Sequence, residues 1–145
     1  MFDELTKYQQ TKHFFFGPTN NLKEVCNAPT DKSGVYLAYA LKNGRIELIY
    51  IGHSGKMNKD GSMFVQKEGL GGLKDSIVNG QHFGKAPRHK SWPDRMLKEG
   101  IEVLDIYWYA THDKDYNDCP SIIEKQILTG YFELYGRLPK WNMEN

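Results

Sequence analysis

Only two cysteines occur in the 145 residues, Cys26 and Cys119, and neither stands in a Cys-x-x-Cys or Cys/His spacing. That pattern excludes a disulfide framework and a cysteine-based zinc site, and leaves both thiols as expected reduced core or boundary residues. Long apolar runs are lacking as well. "HFFFG" is representative of the longest, far short of the ~20 residues that a membrane helix requires. The opening "MFDELTKYQQTK" has no basic region leading into an apolar one, so no secretion signal is read there and a cytoplasmic location is expected. No internal repeat or low-complexity stretch interrupts the chain. With 39% hydrophobic and 26% charged residues, this length amounts to one domain, large enough to bury a core without staples.

Net charge is also small, +1, but it is unevenly spread: Lys67 to Lys98 holds seven Lys/Arg against three Asp/Glu, with His82 and His89 in the same span. Such a run suits a phosphate-rich partner, and equally a solvated face.

Phe2, Leu5 and Tyr8 recur at three-residue spacing, which predicts a short amphipathic helix before the "FFFGP" break. "NNLKEVCNAP" predicts a second short helix, capped by Asn20 or Asn21 and stopped near Pro29. These first 32 residues read as a layer added to a domain spanning 33–145. Next, "SGVYLAYALKNGRIELIYIGHS" reads as a hairpin turning around Asn43-Gly44. "HSGKMNKDGSMFVQKEG" is too polar and glycine-rich for a strand. Leu70, Leu73 and Ile77 predict a helix ending at Gly80, "GQHFGKAPRHKS" reads as loop, and a short helix is expected after Pro93. "IEVLDIYWYA" predicts a central third strand. Pro120-Ser121 then opens a last helix whose apolar face carries Ile122, Ile123, Ile127, Leu128, Tyr131, Phe132 and Tyr135, ended by Gly136.

The hairpin's register decides where its tyrosines point. A two-residue type I′ turn at Asn43-Gly44 sets Leu37 opposite Tyr50 and puts Tyr36 and Tyr50 on opposite faces. A three-residue loop, Lys42-Asn43-Gly44, sets Tyr36 directly opposite Tyr50 and pairs Leu37 with Ile49 and Val35 with Ile51. The aliphatic pairing favours the longer loop, and with it two phenols able to act on one substrate group.

Gly34-Val35-Tyr36, Tyr50-Ile51-Gly52, the following helix, Glu124 on the last helix, and Pro139 with Asn142 resemble the GIY-YIG nuclease superfamily over roughly Ser33 to Asn142. The resemblance implies an α/β chain of the α+β type, with a small three-stranded antiparallel sheet flanked by helices. It further implies metal-dependent hydrolysis of DNA phosphodiester bonds, of restriction or mobile-element type. Tyr36 is then the general base or the group that positions water, and Tyr50 orients the water or binds phosphate. Glu124 binds a single Mg²⁺ or Mn²⁺, and Asn142 hydrogen-bonds the site or fixes the terminal segment. His82, in the loop, is the candidate histidine near the scissile phosphate. Lys74, Lys85, His89 and Lys90 are candidate DNA-backbone contacts, while Phe83 and Trp92 stack on bases or pack in the core.

One position departs from the pattern. The resemblance expects an arginine on the helix after the second motif, where "LKDSI" has Ser76. The missing cation is then supplied by Arg88 or Lys74, or the site is weak, and the chain is a catalytically silent nucleic-acid-binding module. Cleavage of both strands by one such site implies sequential nicking or a homodimer.

Overall fold

The computed structural model describes residues 2–57, 63–64 and 72–144. Its centre is an antiparallel sheet of four strands: β1 (Thr11–Phe16), β2 (Gly34–Lys42), β3 (Arg45–Ser54) and β6 (Val103–Ala110), in the order β1-β6-β2-β3. Two short strands, β4 (Lys56–Met57) and β5 (Met63–Phe64), pair with each other. The helices are α1 (Leu22–Val25), α2 (Leu73–Asn79), α3 (Arg88–Glu99) and α4 (Pro120–Tyr135). Among the described residues no helix is long and apolar enough to cross a membrane.

The sheet is covered on both faces. On one, Tyr36, Ala38 and Ala40 of β2, Ile49 of β3 and Leu104, Ile106 and Trp108 of β6 meet Leu73 and Ile77 of α2, Trp92 and Met96 of α3, and Trp141. On the other, Val35, Leu37, Leu48 and Ile51 meet Ile123, Ile127 and Tyr131 of α4, together with Leu5 and Tyr8. The alternation of β2 residues between the two clusters is the period of two that a strand imposes.

The expected three strands become four because "TKHFFF" is β1, paired along its length with β6. Phe14 and Phe16 are buried while Phe15 is half exposed, an alternation hidden in a run of three identical residues. The first 32 residues therefore contribute an edge strand as well as covering layers. Their expected opening helix is reduced to one 3₁₀ turn, Asp3–Leu5, although Leu5 and Tyr8 are buried as the spacing required. At α1 the cap is Asn21, whose side chain accepts from the Lys23 N–H at 3.0 Å.

The hairpin turn is the tighter of the two considered. Asn43 and Gly44 have φ of +52° and +74°, and Lys42 pairs with Arg45, so the three-residue loop is wrong. Positive φ at both central residues is the type I′ signature, which Asn-Gly tolerates best. A β-bulge then corrects the register: Tyr39 pairs with Leu48 but Ala38 pairs with Tyr50, leaving Ile49 as the extra residue. Past the bulge Tyr36 stands opposite Gly52 rather than Tyr50. The two tyrosines still share a face, as diagonal neighbours.

Helix α2 begins at Leu73; Leu70, most of the preceding loop and Lys67 lie outside the described residues. α3 starts at Arg88, five residues before the proline expected to precede it. Pro93 has no N–H to reach back one turn, yet the helix runs through it, and Arg88, Trp92 and Met96, one turn apart, are buried. The central strand β6 and the last helix lie where expected, and Gly100 and Gly136 close α3 and α4 in the left-handed conformation. The apolar face of α4 is narrower than its composition: Ile122, Phe132 and Tyr135 are exposed.

Candidate functional site

Two glycines let the hairpin hold its tyrosines. A Cβ on Gly34 would lie 1.9 Å from the Tyr109 carbonyl oxygen of β6, so only glycine lets the strands approach there. A Cβ on Gly52 would lie 2.7 Å from atoms of both the Tyr36 and Tyr50 rings. The two rings lean over this bare backbone, with centroids 6.1 Å apart.

Arg88 joins them from the first turn of α3. Its Nη2 donates to the Tyr50 hydroxyl at 3.0 Å, its Nη1 donates to the Ser76 carbonyl, and the guanidinium carbon lies 5.3, 5.7 and 5.5 Å from the ring centres of Tyr50, Tyr36 and Trp92. Arg88 is only 6% exposed. No carboxylate pairs with it among the described residues, and its Nε is buried with no hydrogen-bond partner. Among the described residues this buried cation is balanced by ring faces and neutral oxygens rather than by a counterion. Gly80 makes room for it, since a Cβ there would lie 2.1 Å from Nη1. Gly80 ends α2 as expected, with φ −60°, and serves this packing need as well.

Ser76 completes the polar chain. Its hydroxyl donates to the His53 carbonyl at 3.3 Å and lies 3.1 Å from the Tyr36 hydroxyl, which is then the donor of that second bond. Thus α2 brings a small hydroxyl to the slot where an arginine was expected, and Arg88 supplies a guanidinium from α3. Burial raises the pKa of the Cys26 thiol, and the Lys74 charge opposes that rise.

The electrostatics divide the phenols from the cation. Burial pushes the Tyr50 hydroxyl up, with further upward pressure from the Tyr36 phenol and the Glu124 charge, against a downward pull from Arg88. Tyr50 is therefore a hydrogen-bond donor at neutral pH, not a base. Burial works against the Arg88 cation, but the Tyr36 and Tyr50 phenols outweigh it and its pKa is raised. Tyr36 is fully buried.

His82 is absorbed into the core. Its Nε2–H is shared between the carbonyls of Trp141 at 2.9 Å and Glu144 at 3.0 Å, and its Nδ1 accepts from Trp92 Nε1 at 3.0 Å. Phe83 stacks on it at 4.0 Å and Tyr50 lies 4.6 Å away. Burial lowers its pKa, opposed by the carbonyl bond to Trp141 and helped by Arg88. With both nitrogens committed, His82 is a neutral hub that ties the C-terminal segment to α3, not a group free to meet phosphate. Trp92 is likewise core.

Asn142 pairs with the free edge of β3 through its side chain: Nδ2 donates to the Ile51 carbonyl at 2.8 Å and Oδ1 accepts from the Ile51 N–H at 2.9 Å. The amide extends the ladder at an edge where no strand pairs among the described residues, so of its two expected roles the structure gives it that of fixing the terminal segment. Lys85 and Lys90 are exposed and His89 is half-exposed, around the Arg88 end of α3.

Glu124, in the first turns of α4, has one oxygen taken. His53 Nδ1, the donor to a carboxylate, lies 2.6 Å from Oε2. Oε1 has no partner among the described residues. No group of three or more His, Cys, Asp or Glu gathers there or elsewhere among them. A Mg²⁺ or Mn²⁺ ion held there would have Glu124 Oε1 as its one protein donor among the described residues, with water and phosphate completing its shell. His53 was not singled out by the sequence; it follows Gly52 directly, and that adjacency was the available signal. Against family models, curated proteins and solved structures, the chain matches none.

Proposed function

We propose that this protein is a metal-dependent endonuclease of GIY-YIG type, hydrolysing DNA phosphodiester bonds, and that Arg88 serves as its phosphate-binding cation. The observation that carries the reading is the Arg88 guanidinium, buried without a carboxylate partner among the described residues and bonded to the Tyr50 hydroxyl beside Tyr36. Fixed donors aimed where charge gathers on a phosphoryl group are the largest contribution a protein makes to such a reaction. In this reading Arg88 and Tyr50 donate to phosphate oxygens, and the Tyr36 hydroxyl, held by Ser76, orients the attacking water. Glu124 holds Mg²⁺ or Mn²⁺, which when bound supplies Lewis-acid polarisation and a more acidic water. Lys85, His89 and Lys90 hold the DNA backbone. The protein acts in the cytoplasm, as a homodimer or by sequential nicking.

A second reading has its own support. Tyr36 is fully enclosed and Ser76 fills the arginine slot, as befits a silent nucleic-acid-binding module that retains the fold. Plasmid nicking with Mg²⁺ or Mn²⁺, alongside a gel shift at the same salt concentration, separates the two: the enzyme nicks and binds, whereas the module only binds.

A further inference from the structure

His53 is the residue at which the two sides of the β3 edge meet. Its backbone carbonyl accepts from Ser76 Oγ, the same atom that holds the Tyr36 hydroxyl. Its side chain turns to the opposite face, as alternation after Gly52 requires, and there its Nδ1 bonds Glu124 Oε2. The pair bridges strand and helix, separated by 71 positions in sequence. Both side chains are partly exposed, His53 at 34% and Glu124 at 23%.

A glutamate early in a helix has three free torsions and no reason of its own to hold one carboxylate orientation. The bond from His53 removes that freedom. It also engages one oxygen only, leaving Oε1 for a ligand. Histidine is anchored by the ladder at Val35 and by the Ser76 bond at its carbonyl, so the orientation of the carboxylate is inherited from β3, the strand that carries Tyr50.

We propose that His53 is a positioning residue for Glu124: its Nδ1–H fixes the carboxylate so that Oε1 is presented to a divalent cation on the α4 side of the β3 edge. The proposal rests on the reading of Glu124 as the cation-binding carboxylate. Partners of this kind tune metal affinity by roughly 10–100-fold.

Two substitutions divide the hydrogen bond from the ring. His53→Asn keeps an N–H donor near the Nδ1 position and loses the ring, and His53→Phe keeps the ring and loses the donor. Mn²⁺ is titrated calorimetrically into the wild type, both variants and Glu124→Ala, in the absence of DNA. The expected result is Mn²⁺ binding by the wild type, binding within about threefold of it by His53→Asn, at least tenfold weaker binding by His53→Phe, and none by Glu124→Ala. If Glu124→Ala loses binding while His53→Phe retains wild-type affinity, His53 does not position the carboxylate and the reading of Glu124 stands. If His53→Asn is as weak as His53→Phe, the ring and not the donor matters, and the proposal is overturned. A wild type that binds no Mn²⁺, or a Glu124→Ala that binds equally well, overturns the cation reading of Glu124 and the role of His53 together.

Discussion

Gly52 stands opposite Tyr36 in the β2–β3 ladder, and a Cβ at position 52 would sit 2.7 Å from Cε2 and Cζ of the Tyr36 ring. The second glycine of the motif is therefore a space requirement set by aromatic rings, not by backbone conformation, and the rings are held by contacts to Ser76 and Arg88 that resist displacement.

Gly52→Ala is expected to destabilise the fold by about 1–3 kcal/mol, the usual range for forcing a methyl group into a packed core. Urea unfolding checks this. A variant as stable as the wild type means the rings move aside freely, and the rigid arrangement of the site is then incorrect.

The position of Arg88 determines what an arginine placed at position 76 does. Ser76→Arg adds a long cation where the serine hydroxyl now links Tyr36 to His53, next to a guanidinium already present. No gain in cleavage is expected, while Arg88→Ala slows it at least tenfold, about 1.4 kcal/mol of barrier. Arg88→Lys does not rescue, since an ammonium lacks the planar fork that reaches Tyr50 and the Ser76 carbonyl together. Faster cleavage by Ser76→Arg with unchanged cleavage by Arg88→Ala contradicts this assignment.

His82 gives the fold a pH dependence. Its folded-state pKa is lowered by burial, whereas an unfolded histidine titrates near 6.5. Above about 6.5 both states are neutral and the group adds no slope; as the pH falls below that value the unfolded chain takes up a proton that the folded one refuses. Stability is then lost with falling pH until the folded-state pKa is passed. His112, also lowered by burial, acts in the same direction. The contribution of His82 is read as the stability difference between wild type and His82→Gln, expected to narrow between pH 7.5 and 5. A constant difference excludes His82 as the source.

The readable parts of this molecule are those in which one local rule acts alone. Strand β6 has its β-branched and aromatic residues between polar boundaries, and α4 has Pro120 and Gly136 at its ends. The hairpin involved two rules in sequence. Asn43-Gly44 set the turn, but the bulge at Ile49 depends on the tyrosines finding the α2–α3 side of the sheet and has no local signature. β1 was missed because three successive phenylalanines conceal a period of two, and the start of α3 because Pro93 reads as a beginning when the buried stripe of Arg88, Trp92 and Met96 runs through it. Within the site, Tyr36, Tyr50, Ser76 and Arg88 come together. His82 looked like a loop histidine because its partners Trp92, Trp141 and Glu144 are distant in sequence. The partnership of His53 with Glu124 was invisible for the same reason.

The central claim, that the tyrosine–Arg88 group on one side of β3 and Glu124 on the other serve one hydrolytic reaction, is tested most directly by incubating supercoiled plasmid with the wild type, Arg88→Ala and Glu124→Ala in Mn²⁺, with DNA binding measured at the same ionic strength. The account predicts nicking by the wild type, none by Glu124→Ala although it still binds DNA, and at least tenfold less by Arg88→Ala. Intact plasmid with a wild type that binds DNA normally, or nicking that survives in Glu124→Ala, would contradict it.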